Sequence, residues 1–501
     1  MRPMEYQVLK SRVPRPAWRL STNLFWQLVG QALPLVIAAI TIPVVHARVS
    51  PADFGIFTLS ITAFGIMSVL DLGLGRASVR FVSRALALGD RKTAARVAAQ
   101  SLLILLVISI LLCAVCLRLG PIAVSRWLSA DSSNDPQLRD VVRILALVLP
   151  AIALTSAMRS LMEAELRFRR IAAIQAVSGA LTFGSPLVVS LYTSNIRLIV
   201  LSAALVRASS LLVYAFGVRH WLRDPNFRGG LLVRPSREFL QFSGSLMVSN
   251  LVGTTVAYAD RASLAGIIPL GRLPYYNVPL DFLLRFMLPI NGAITVAFPE
   301  LSRRATKPGD LDKINLIAIS ALGGLLGPAL LLGSLLTPLF LSVWLGNDFR
   351  VTSTVLLQTF LIGFHLQAFN ALSMATLGAR GIAARIAVMH VLEVPLYLFG
   401  LTFLGSHYGL RGLAVAWSAR TLFEFLAFGA MIIAAAELRA RHFLVLMLAG
   451  MHTFPLLIVV TIHLNWAALL LSATLTGLSV MLVRSQFLAI TERPLPASAM
   501  P

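Results

Sequence analysis

About fourteen stretches of this chain each hold the roughly 20 mostly apolar residues that a helix needs to cross about 30 Å of hydrocarbon. They fall near 22–46, 53–74, 95–117, 140–160, 170–193, 197–218, 239–266, 274–299, 313–340, 352–376, 383–404, 410–433, 443–463 and 465–484. Lipid offers backbone N–H and C=O groups no partner, so segments patterned this way must satisfy them within helices. The expected fold is all-α, a polytopic membrane bundle of two six-helix lobes around a central cavity, followed by two further helices. Composition agrees: 57% of the 501 residues are hydrophobic and 13% are charged, against roughly 25% charged in a soluble domain. An ordinary soluble enzyme is excluded. Cys113 and Cys116 lie in an apolar run and read as small buried hydrophobes rather than a disulfide framework or a metal site.

The net charge of +22 would point to nucleic acid in a polar protein, but here its placement follows the bilayer and no nucleic-acid partner is expected. With the N-terminus inside and the spans alternating, inside segments hold about 30 basic residues and outside segments about nine, the bias of cytoplasmic loops. Both termini are therefore expected in the cytoplasm. The first span follows Lys10, Arg12, Arg15 and Arg19; it is too long for a signal-peptide core and has no A-x-A cleavage site, so it reads as an uncleaved helix. The stretch 219–237, with Pro225, Gly229, Gly230 and Pro235, is the expected linker between a lobe at 1–218 and a lobe at 238–434. Residues 435–501 carry the last two helices and a tail.

Segments 49–84 and 268–303 match in length and layout, and agree at Gly73 with Gly292, Ser83 with Ser302 and Arg84 with Arg303. The preceding spans each carry a polar stripe, Asn23, Gln27 and Gln31 in one and Gln241, Ser245 and Ser249 in the other. Parallel six-helix repeats of this kind are a common transporter plan. Asp53-Phe54-Gly55, Asp71-Leu72-Gly73-Leu74-Gly75, Asp260-Arg261 and Phe298-Pro299 are similar to motifs of the polysaccharide-transport branch of the multidrug/oligosaccharidyl-lipid/polysaccharide exporter superfamily. The resemblance covers roughly residues 20–435 in layout. It implies a flippase that moves a polyprenyl-pyrophosphate-linked glycan, or a polysaccharide intermediate, across a bacterial inner membrane. The implied partners are that glycan lipid, the surrounding membrane lipids and a glycan polymerase or other export components; no cofactor, metal or catalytic residue is implied.

Four arginines, Arg207, Arg261, Arg285 and Arg420, fall inside expected spans. Facing each to lipid would cost about 2.5–3.5 kcal/mol, so they should face an interior. Asp281 with Arg285, and Arg420 with Glu424, are spaced to meet on one helical face, whereas Asp260 and Arg261 are adjacent and diverge by about 100°. Ser243, Asn250, Thr254 and Arg261 fall on one helical face, as a cavity wall would. Arg207 has no carboxylate in its own helix, and its planar fork suits phosphate oxygens. The candidate substrate-binding residues are thus Arg207, Arg261, Arg285, Arg420, Asn250, Thr254, Asn23, Gln27 and Gln31. Asp260, Asp281, Glu393 and Glu424 balance the arginines in number and are the candidates for ion coupling, Glu393 as a buried carboxylate or as the partner of an arginine on another helix. His365, with Gln358 and Phe369 on its stripe, reads as a packing histidine or a sugar contact. Two other functions compete with the flippase: an ion-coupled drug antiporter of the same fold and a membrane glycan polymerase or ligase, which would need a sizeable exterior loop that this chain lacks.

Overall fold

The structure, a computed structural model, describes residues 17–69, 74–127, 136–231, 233–294, 308–436, 439–461 and 465–491. The first six expected spans appear as α1 (Ala17–His46), α2 (Pro51–Val69), α4 (Arg91–Trp127), α5 (Pro136–Ala164), α6 (Phe168–Tyr192) and α7 (Ile196–Gly217), with a further helix, α3 (Leu74–Ala87), beyond the end of the second span. Two short helices, α8 (Arg219–Leu222) and α9 (Pro225–Gly230), lead into α10 (Arg237–Ile267) and α11 (Pro274–Leu284). A helical stretch at 287–294 follows, then α12 (Pro308–Leu345), α13 (Asn347–Ala379), α14 (Ala383–Ala435), α15 (Arg439–Met451), α16 (Thr453–Thr461) and α17 (Asn465–Thr491). No strand occurs among the described residues. Among the described residues eight helices are long and apolar enough to cross a membrane, and three shorter apolar ones join them. The protein is a multi-span membrane protein. α14 contains two of the expected spans, divided where Gly409 adopts φ 57° and ψ −135°, a left-handed conformation that costs glycine little.

The stretch expected as a linker is not a loose strap. Asp224 Oδ1 accepts the amide of Asn226 at 2.9 Å and Pro225 takes the first turn of α9, a regular helix start. Glu165, at the end of α5, lies 2.6 Å from His220 Nε2 and accepts Trp221 Nε1–H at 3.1 Å. Trp221 and Phe227 are buried in the core of the first half.

Two ends of the bundle differ. At the arginine-poor end the halves meet backbone to backbone: a Cβ at Gly55 of α2 would run into the carbonyl oxygen of Leu270, and one at Gly271 would lie 3.2 Å from Pro51. Trp344 Nε1–H donates to Ala39 O at 2.7 Å, joining α12 to α1. One continuous core carries Phe54 and Phe57 of α2 together with Tyr276, Phe349 and Phe360 of the second half. At the basic end α3 meets α10 through side chains. Phe81 packs edge-on against Phe239 at 5.5 Å, Arg80 lies over the Phe242 ring at 4.2 Å, and Arg84 stands 4.0 Å from Glu238.

Helices α15 to α17 pack along α12. His365 is fully buried with Nε2 3.1 Å from Ala449 O, and Gln358 Nε2–H donates to Ser334 O at 3.0 Å. Both residues join helices to one another.

Candidate functional site

A polar chamber of about 270 Å³ opens between α1, α5, α6, α7 and the start of the second half. Its walls follow from close helix packing: a Cβ at Gly179 of α6 would lie 2.5 Å from Pro34 Cγ of α1, and one at Gly30 would lie 3.0 Å from Ala172 O. Small residues let these backbones approach, which brings α6 side chains around to the chamber. Arg159, Arg207 and Arg285 line it with Gln175, Ser178 and Thr182. No acidic residue is among the described residues that line it. Arg159 is half-exposed and its Nε lies 2.8 Å from Glu163 Oε1. Arg207 lies over the Phe64 ring at 5.4 Å and Arg285 over the Phe183 ring at 5.6 Å, contacts that hold a guanidinium without neutralising it.

Three of the hydroxyls around these cations are already committed as donors. Thr155 donates to Ala151 O at 2.8 Å, Thr182 to Ser178 O at 2.7 Å and Ser210 to Arg207 O at 2.6 Å. Their oxygens are left to accept. The chamber therefore offers guanidinium donors to an anion and hydroxyl acceptors to a polyol.

Arg285 owes its position to a break in the eighth span. Pro289 removes the N–H that would bond the Arg285 carbonyl four residues back, and Leu288 N donates to Arg285 O at 3.2 Å instead. Helix geometry lapses at 285–286. Asp281, one turn earlier, does not meet Arg285 as the spacing predicts: its Oδ1 lies 2.5 Å from Arg261 Nη2. Among the described residues no carboxylate oxygen lies within 4.0 Å of the Arg285 guanidinium nitrogens.

Arg261 is buried in α10 between two carboxylates. Its Nη1 donates to Asp260 at 3.1 and 3.2 Å, although the residues are adjacent and diverge by about 100° around the helix. The long side chain folds back along its own helix, where Nη1 also donates to Ala257 O at 3.3 Å. Tyr276 donates its hydroxyl to Asp260 Oδ2 at 3.0 Å. The arrangement ties α10 to α11 and leaves only Asp281 partly open, on a small cavity it shares with Arg285, Phe282 and Trp344.

Arg420 sits in a second network. Its Nη1 donates to Glu393 Oε1 at 3.2 Å and to Glu424 Oε1 at 3.0 Å, while Asn370 Nδ2–H reaches Glu424 Oε2 at 2.9 Å. His390 Nδ1 lies 3.0 Å from Glu393 Oε2. The sequence reading paired Arg420 with Glu424 and passed over His390, one turn before Glu393. The ligand atoms of His390, Glu393 and Glu424 lie within 4.8 Å of one another, a spacing a cation could use, but Arg420 already stands among the carboxylates. Tyr397, with the Arg420 guanidinium over its ring at 5.3 Å, is buried beside this network.

Of the remaining candidates, Asn250 accepts Arg76 Nη2–H at 2.6 Å and so fastens α3 to α10. Thr254 is half-buried in α10. Asn23, Gln27 and Gln31 fall in α1, but their side chains lie outside the described residues, as do Asp71, Leu72, Gly73, Phe298, Pro299 and Arg303 altogether. Sequence reasoning found Arg207 and Arg285 but not Gln175, Thr155 or Tyr214, which line the same chamber. Single polar residues on an apolar helix carry no signal until the helices are packed.

Residues 20–305 match the family described as polysaccharide biosynthesis protein. A Shigella flexneri protein assigned as an O-antigen transporter is 25% identical over 411 residues, 81% of this chain and 95% of that protein. Among solved structures, the lipid II flippase MurJ in an inward closed conformation superposes with a TM-score of 0.65 at 14% identity, over 95% of this chain and 99% of that one. An inward-facing multidrug resistance MATE family transporter of the MOP superfamily gives 0.64 at 15% identity, over 82% and 98%. The fold is thus the one shared by these transporters.

Proposed function

The chain belongs to the polysaccharide biosynthesis protein family, and from that premise we propose that it is a flippase for a polyprenyl-pyrophosphate-linked oligosaccharide in the bacterial inner membrane. The observation that carries this reading is the chamber in which Arg207 and Arg285, one from each half, face a space whose described lining holds no acid. Cations gathered on the wall of a low-dielectric chamber favour an anion. Guanidinium forks grip phosphate oxygens bidentately and stay charged at any working pH. The hydroxyl acceptors beside them suit sugar hydroxyls. Arg261 and Arg420, each held by two carboxylates, are assigned a structural part.

The lobes proposed are 1–218 and 238–434, with both termini cytoplasmic so that the basic end faces inward. Backbone contact at the arginine-poor end and side-chain contact at the basic end fit a form closed to the outside. Alternating access then requires the Gly55–Leu270 seal to part. Ion coupling is assigned to the second half. Glu393 and Glu424 set two carboxylates against the one guanidinium of Arg420, so a single proton, on a carboxyl or on His390, leaves the network neutral. Asp260 and Asp281 together face Arg261 in the same ratio.

In a strain lacking the native gene, Arg207→Ala and Arg285→Ala are expected to abolish surface glycan at wild-type protein level, with the lipid-linked intermediate accumulating on the cytoplasmic face. Full export by both variants overturns the assignment. Gradient-driven efflux of a soluble cation from vesicles free of lipid carrier would replace it with an antiporter.

A further inference from the structure

A cleft of about 870 Å³, larger than the polar chamber, lies between the eighth span and α12 and is floored by α13. Phe282, Phe286 and Ile290 form one wall, and Leu325, Ala329 and Gly333 the other. Thr337 is the one polar side chain among the described lining residues, and it donates to Gly333 O at 2.8 Å. The cleft therefore presents hydrocarbon throughout. Its walls are open, with Leu325 72% and Phe286 47% exposed. From Phe282 to Ile294 the wall runs twelve residues, about 18 Å at 1.5 Å per residue, close to the roughly 15 Å of one leaflet of a 30 Å hydrocarbon core.

The cleft is continuous with the cationic site through one helix. Phe282 lines both the cleft and the small cavity that holds Arg285, and Arg285 in turn lines the polar chamber. Around the break at 285–286 one span presents Arg285 to the polar chamber and Phe282 and Phe286 to the cleft. Few ligands need a cation and a leaflet-length apolar slot side by side on one helix. A lipid with a phosphorylated head does.

We propose that the cleft between the eighth span, α12 and α13 is the binding site for the polyprenyl chain of the transported lipid, seated while its phosphates are held at Arg285. The chain is thereby held against the second half through the transport step rather than left free in the bilayer. The proposal rests on the head-group assignment above, but its signature is dependence on chain length rather than on charge.

The test measures binding of C10, C20 and C55 prenyl pyrophosphates to the purified full chain in nanodiscs. Four proteins are compared: wild type, Ala329→Trp/Gly333→Trp, which fills the cleft, Leu325→Gln, which makes its exposed lip polar, and Arg285→Ala. In wild type, affinity is expected to rise at least tenfold from C10 to C55. Filling the cleft should flatten that rise while C10 binding stays within twofold, and Leu325→Gln, at an open position that should not disturb folding, should reduce it several-fold. Arg285→Ala should lower affinity for all three and keep the rise. A rise unchanged in folded Ala329→Trp/Gly333→Trp and in Leu325→Gln, or no rise in wild type, overturns the chain site and leaves the cleft to bulk lipid. An unchanged affinity in Arg285→Ala overturns the head-group assignment instead.

Discussion

In the second half Arg420 is shared between two glutamates at 3.2 and 3.0 Å and Arg261 between two aspartates at 3.1 and 2.5 Å. By contrast, Arg207 of the first half and Arg285 of the second lie over aromatic rings at 5.4 and 5.6 Å and face a chamber whose described lining holds no acid. All four are arginines within membrane-spanning segments, yet the first pair is enclosed by carboxylates and the second lines a chamber whose described lining holds no acid. A guanidinium enclosed by carboxylates holds helices together. One that lines a polar chamber is, in the proposed function, the group that meets the ligand.

The largest effect that separates the two kinds is on stability. Arg420→Ala leaves two buried carboxylates without their cation and is expected to cost about 3–5 kcal/mol, read as a fall in the thermal midpoint of the detergent-solubilised protein. Arg285→Ala should leave that midpoint near wild type, and equal destabilisation by both would erase the distinction. Next comes affinity. Arg207→Ala and Arg285→Ala should each weaken pyrophosphate binding by roughly 10- to 150-fold, the worth of about 1.5–3 kcal/mol for hydrogen bonds to a charged group.

A smaller effect concerns the two ends of the bundle. Gly55→Ala forces a methyl into the Leu270 carbonyl, an overpacking cost of about 1–3 kcal/mol, and should loosen the arginine-poor seal. A cysteine placed at Thr182, in a background without Cys113 and Cys116, should then react faster with an impermeant thiol reagent added from that side; an unchanged rate would show that the seal lies elsewhere. The smallest effect sharpens the meaning of a salt bridge here. Arg197 Nη1 lies 2.8 Å from Asp140 Oδ2 with both side chains partly exposed, so Arg197→Ala is expected to cost only about 0.2–1 kcal/mol. A loss approaching that of Arg420→Ala would mean that burial is not what sets these energies.

Much of the architecture was legible because each span carries its own signal. Apolar length marks a helix, and basic flanks mark one end of the bundle. Even the break beside Arg285 is foreshadowed by Pro289. The site was legible only in part. Arg207 and Arg285 stand out because a charge in an apolar run is conspicuous, but spacing alone paired Asp281 with Arg285, and the fold gives Asp281 to Arg261 on the neighbouring helix. Helical periodicity knows nothing of the next helix. For the same reason the Arg261–Asp260 contact was missed: a long side chain reaches back along its own helix, which the direction of the Cβ does not reveal. His390 escaped notice because its link to the Arg420 network runs through Glu393 and forms only once the two spans of α14 fold back on each other. The apolar cleft was invisible altogether, since its residues read like those of any lipid-facing helix until two helices stand apart.

The most direct measurement is the preference of the purified chain for undecaprenyl pyrophosphate over undecaprenol, by native mass spectrometry or calorimetry, in wild type and in the double variant Arg207→Ala/Arg285→Ala. The account predicts a preference of at least tenfold in wild type, about 1.4 kcal/mol, and its disappearance in the double variant while the folded state persists. Equal binding of the two lipids by wild type, or a preference that survives loss of both arginines, would contradict it.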